Sequence, residues 1–259
     1  LNRYHGQRLP IHLQTERPTS TALGSPFSFA RYGQSGLEVS ELFAPLAEKH
    51  ADDLCVIRSM YTDSPVHENC LRLLNCGASI MARPSIGSWI TYGLGTENEN
   101  LPVFVVLPDP RGYPAGGSIN WASGFLPANH QGVPFRTQSA EPIVDLSTPA
   151  TLTAGERAAD LRLLAGMNRD FAEAHSGDTA FWARLRSYEL AARMQTSIPE
   201  AANLDGETAA TRALYGVGVG SNKGFARNCL LARRLLERGV RFVQIINGGA
   251  FGSPRINWD

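Results

Sequence analysis

The 259 residues are enough for one large hydrophobic core or two modest ones. The 24 Lys and Arg are matched by 24 Asp and Glu, which argues against a nucleic-acid or anionic-membrane partner recognised through bulk charge. No apolar run approaches the roughly 18 residues a membrane helix needs, and 43% hydrophobic residues with 25 Gly and 16 Pro suit an ordered, loop-rich globular protein.

Residues 1–36, rich in Gly, Pro, Ser and Thr, read as an irregular leading segment. From Glu38 the apolar positions Val39, Leu42, Phe43, Leu46 and Ala47 recur at helical spacing, with Ser40 as N-cap. The run from Asp53 to Tyr61 predicts a short buried strand that exits at Thr62, Asp63 and Ser64. His67 to Gly77 predicts a helix opening directly from that loop, with Leu71 and Leu74 inward. Ser85 to Gly95 predicts a second helix, and Leu101 to Pro108 another buried strand.

Residues 108–150 are dense in chain breakers and aromatics, and read as a long loop or covering flap. Helices return from Ala154 to Met194, one marked by Leu161, Leu164, Met167 and Phe171, the next by Phe181, Leu185, Tyr188 and Ala192. The tail predicts a helix with Phe225, Cys229, Ala232, Leu235 and Leu236 inward, stopped by Gly239. A buried strand from Val240 to Ile246 follows, then Gly248 and Gly249. This alternation predicts one α/β domain over 1–259, with a mainly parallel central sheet between helices. In such sheets the working groups gather beyond the carboxyl ends of the strands.

Cys55 and Cys229 sit in apolar runs and read as small buried thiols, and no cysteine pair has zinc-ligand spacing. Gly-x-Ser-x-Gly, Walker and dinucleotide signatures are absent; Gly216-Val-Gly-Val-Gly follows no strand.

Three constellations remain. His67 stands where a strand exit meets a helix N-terminus, a place that favours bound anions, with Asn69 and Arg72 as further donors; a plain helix-start histidine is the competing reading. Asp259 lies in the exit of the last strand, where a carboxylate either ligates a divalent cation or stands as a solvated loop acid; Asp63 and Asp109 occupy comparable exits. Trp121, Phe125 and His130 either line a pocket for a ring-shaped substrate or pin a flap.

The stretch Cys229-Leu-Leu-Ala-Arg-Arg-Leu-Leu-Glu-Arg-Gly-Val-Arg-Phe-Val-Gln, with Gly248-Gly249 and Trp258-Asp259, resembles a bacterial family of sulfatase-like proteins catalogued as domain of unknown function fifteen-hundred-and-one. Ser187 to Gln195, Arg83 to Trp89, Tyr92 to Gly95, Asn100 to Leu107, Ser123 to Ala128 and Val56 to Met60 match as well, in order and over nearly the whole chain. The resemblance implies the alkaline-phosphatase-like fold, a divalent-metal site at the carboxyl ends of the strands, and hydrolysis of sulfate or phosphate esters of small molecules or polysaccharides. It places His67 about where sulfatases carry a modified cysteine and Asp259 on the metal; with these, Arg72 is expected to face the ester, and Asn69, Trp121 and His130, from the patterns above, to bind substrate. It also implies export, often by a twin-arginine leader. Leu1 and Asp259 do not read as natural ends, and the family takes further metal ligands from flanking segments, so residues 1–259 alone are expected to be inactive. The alternative is an exported binding or structural protein that keeps the fold without the chemistry.

Overall fold

The computed structural model describes residues 2–8, 10, 21–62, 64–80, 83–139, 141–144, 146–147, 149, 151–175, 179–220 and 223–248. The chain divides into two compact units, 1–66 and 67–259.

The first unit is built on an antiparallel hairpin. Strands β1 (Phe29–Tyr32) and β2 (Leu37–Ser40) pair in the register Phe29 to Ser40 and Tyr32 to Leu37. The turn between them is held from outside: the Asp52 carboxylate accepts the backbone N–H groups of Gln34 and Ser35, both at 2.9 Å. Gly33 at φ +66° lies so close to that carboxylate that a Cβ would overlap it. Ser40 caps the 3-10 turn Glu41–Phe43, which runs into α1 (Ala44–His50). The cap falls where the sequence predicts it, but residues 37–40 before it are strand, not helix. The predicted strand from Asp53 to Tyr61 is not formed. Leu54, Val56, Ile57, Met60 and Tyr61 are all exposed, and no ladder pairs with them among the described residues. Cys55, in the same stretch, is exposed rather than buried.

The second unit is an α/β layer structure around a parallel sheet in the order β4-β3-β5: β3 is Phe104–Leu107, β4 is Val133–Pro134, and β5 is Phe242–Ile245. Alternation along β3 gives the sheet two apolar faces. Val105 and Leu107 join Phe135, Leu146, Met194, Ile198, Leu231 and Leu235, which places α5 (Thr179–Ala202) and α7 (Lys223–Glu237) on one face. Phe104 and Val106 point the other way, to Trp121 and Phe242. All four residues of β3 are completely buried, as expected for a central parallel strand. β5 is half-buried, because it forms the edge of the described sheet.

Two helices cover the second face. α2 (His67–Cys76) begins at His67 and stops at Gly77, whose φ of +69° closes the helix; α3 (Ile86–Leu94) is N-capped by Ser85 and ended by Gly95. Leu74 is exposed, and Cys76 is the buried residue of α2, its thiol donating to the Ile119 carbonyl at 3.4 Å. Segment 108–150 is irregular but is not a simple flap. It supplies β4, and Trp121, Phe135 and Leu146 from it are core residues.

α4 (Ala154–Ala174) opens with a capping box between Thr153 and Glu156 and packs on α5. Its stripe of Leu164, Met167 and Phe171 is exposed, and Ala172 is its buried residue. α6 (Ala209–Tyr215) ends at Gly216, and the following glycines at positive φ form its exit, with no strand before them.

In α7 the buried residues are Ala226, Asn228, Leu230, Leu231, Ala232 and Leu235, while the expected Phe225 and Leu236 are 38% and 53% exposed. The seam is turned because Arg234 reaches inward to Glu207 at 2.6 Å and to the Ala201 carbonyl. Gly239 closes α7 with paired bonds, Gly239 N–H to the Leu236 carbonyl and Val240 N–H to the Leu235 carbonyl. Among the described residues no helix is long and apolar enough to cross a membrane.

Candidate functional site at the carboxyl edge of the sheet

Because β3 and β5 run parallel, their exits lie on one edge, and the structure ties them together there. Asp109, two residues beyond β3, is 7% exposed. Its Oδ1 accepts the Arg111 N–H at 2.9 Å and Nε at 2.8 Å; its Oδ2 accepts Arg111 Nη2 at 2.7 Å and the Gly248 N–H at 3.0 Å. The last bond joins the β3 exit to the glycine exit of β5. These donors, the Arg111 side chain first, hold the Asp109 carboxyl below its ordinary value against the opposing effect of burial.

The amino end of α7 reaches the same edge, since a crossover helix runs antiparallel to its strand. Gly224 lies against Pro110 so closely that a Cβ would overlap its ring. Arg227 Nε donates to the Thr137 carbonyl beyond β4 at 2.8 Å, and Asn228 Nδ2 to the Pro108 carbonyl at 2.9 Å. Asn228 is fully buried, and its Oδ1 has no partner among the described residues.

A second polar feature runs from β5 into α2. Gln244 Nε2 donates to Asn75 Oδ1 at 2.8 Å, Asn75 Nδ2 to Asn120 Oδ1 at 3.3 Å, and Asn120 Nδ2 to the carbonyls of Ala115 and Gly117. Gln244 Oε1 is also buried without a partner among the described residues. Sequence reading missed Asn228, Gln244 and Arg111. The first two carried a signal, each being a lone amide on an otherwise apolar face; Arg111 carried none.

The residues proposed from sequence fall in three places. His67 and Asn69 are half-buried in the first turn of α2. Arg72 is turned to its own helix exit, with Nη1 donating to the carbonyls of Ser79 and Ile80 and Nη2 to Glu68 at 2.6 Å. Trp121, only 1% exposed, is packed with Phe104 and Val106 and takes Tyr113 edge-on, so it is a core residue and not a pocket wall. His130 does line a groove, together with Phe125. Its ring lies edge-on to Tyr92 and shares a hydrogen bond with Thr91 Oγ1 at 3.3 Å, and burial lowers the imidazole below its ordinary value. Asp63 and Asp259 lie outside the described residues.

The described residues do not by themselves fit a divalent metal. No group of three or more His, Cys, Asp or Glu gathers among them, and the one buried exit carboxylate, Asp109, has both oxygens engaged by Arg111 and Gly248.

Fold and site together define an α/β protein with a parallel sheet and a polar carboxyl edge. The chain belongs to the family described as Protein of unknown function (DUF1501), whose model matches residues 1–259. No curated protein and no solved structure matches it.

Proposed function

We propose that this chain is part of a metal-dependent hydrolase of sulfate or phosphate esters, built on the alkaline-phosphatase-like fold and exported from the cell. The observation that carries the reading is the bond from Gly248 to Asp109, which gathers two parallel strand exits at the edge where open α/β sheets place their ligands. The segment leading to Asp259 starts there, and Asp259 is the metal ligand this reading assigns. His67, first residue of a ten-residue helix, is set beside backbone N–H groups that favour an ester oxyanion. Asn69 adds a donor. Arg72, braced between Glu68 and the carbonyls after its helix, is better suited to positioning that turn than to facing the ester.

One observation favours a second reading, an exported binding protein that keeps the fold without the chemistry. The Asp109 carboxylate is closed by Arg111, whereas a metal ligand needs an open oxygen. The whole parent protein separates the two. Under the hydrolase reading it holds a divalent ion, turns over aryl sulfate or aryl phosphate in an EDTA-sensitive way, and loses at least about a hundredfold in rate with His67→Ala. A metal-free parent inactive on both esters would leave the binding reading. Residues 1–259 alone are expected to show no turnover.

A further inference from the structure

We propose that a groove between the 125–130 turn and the first turns of α5 binds an acidic oligosaccharide. The groove has a volume of about 1070 Å³ and is lined by four aromatic rings, Tyr92, Phe125, Trp182 and Tyr188, and by Arg184 and Arg186. Such a volume is at the upper end of small-ligand sites and accommodates several sugar rings.

The rings are held on display. Phe125, Tyr188 and Tyr92 are 71%, 61% and 53% exposed, a large apolar area to leave in water without a use. Trp89 takes Phe125 edge-on at 5.7 Å and Tyr92 at 6.4 Å, and Tyr92 takes His130 edge-on at 5.4 Å. These contacts fix the orientation of the Phe125 and Tyr92 faces, so little freedom is lost when a ligand stacks on them. Sugar rings offer C–H faces to such platforms and hydroxyls to Asn129 and His130 at the same wall.

Charge selects among sugars. Among the described residues no Asp or Glu lines the groove, and neither Arg184 nor Arg186 forms an ion pair. Guanidinium groups match sulfate and carboxylate in a two-point geometry. Two cations beside four rings fit a chain with sparse charges. A nucleic acid carries a phosphate on every nucleotide and is drawn to strongly cationic surfaces, which a chain of zero net charge does not offer. The inference does not rest on the hydrolase reading, because binding is expected whether or not an ester is cleaved.

Calorimetric titration of the chain with a chondroitin sulfate hexasaccharide tests it, beside the desulfated, carboxyl-reduced hexasaccharide and a six-nucleotide oligo(dT). The acidic sugar is expected to bind, and the neutral one to bind at least about tenfold more weakly. The double variant Arg184→Ala with Arg186→Ala and the variant Phe125→Ala should each weaken binding about tenfold at unchanged thermal stability. If Phe125→Ala lowers stability, Tyr188→Ala takes its place. Absence of binding, equal affinity for the neutral sugar, tighter binding of oligo(dT), or unaltered affinity in the variants would each overturn the proposal.

Discussion

Asp109 shows how one side chain can organise an edge. Its carboxylate satisfies its own loop through Arg111 and the neighbouring strand exit through Gly248, so its removal loosens two segments at once. Asp109→Asn should lower stability by about 2 kcal/mol near neutral pH, the usual scale for hydrogen bonds to a charged group. Since this carboxyl titrates lower in the folded chain, its contribution is complete above the ordinary value of about 4 and is lost as pH falls through the folded value. Urea unfolding of both proteins should therefore show a gap that narrows below about pH 4. A gap unchanged down to about pH 2 would mean that the charge is not what Asp109 contributes.

At the scale of elements, α3 reaches the sheet through a glycine. A Cβ on Gly87 would stand 2.6 Å from atoms of Phe104 and Phe242, two rings that themselves meet edge-on at 5.2 Å. Phe104 is fully buried and cannot yield. Gly87→Ala should cost about 1–3 kcal/mol through overpacking. Gly93, further along the same helix, has open space where a Cβ would stand, with nothing within 4 Å, so Gly93→Ala should stabilise by up to about 1 kcal/mol through helix propensity. Thermal unfolding of the two variants decides it, and shifts of the same sign would refute this packing of α3.

For the molecule as a whole, the two units predict where it can be cut. Met60 and Tyr61 are 76% and 86% exposed in a stretch without regular structure, just ahead of the start of the second unit. Brief chymotrypsin treatment should cleave first after Tyr61 and leave a larger product that resists further digestion, because backbone held in helices and a core-bearing sheet is a poor substrate. Mass spectrometry of the first products checks this. A first cut within α5 or α7 would contradict it.

Local signals are enough for the elements whose partners are close in sequence. Ser40, Ser85, Gly77, Gly95 and Gly239 do at their caps what those residue types do in any helix, and the apolar run of β3 allows little but a buried strand. What depends on distant partners is not legible. The period of α7 does not say that Arg234 will find Glu207, so the period alone sets its buried face wrong by part of a turn. The run from Asp53 to Tyr61 has the composition of a strand, but a strand exists only where another supplies its hydrogen bonds. Trp121 is as good a pocket residue as Phe125 until packing buries one and exposes the other. His67 at a helix start and acids at strand exits can be proposed from sequence alone, because position along an element is a local property. That Asp109 is bonded to Gly248, 139 residues away, was decided by the tertiary structure, since only the parallel pairing of β3 with β5 brings those exits together.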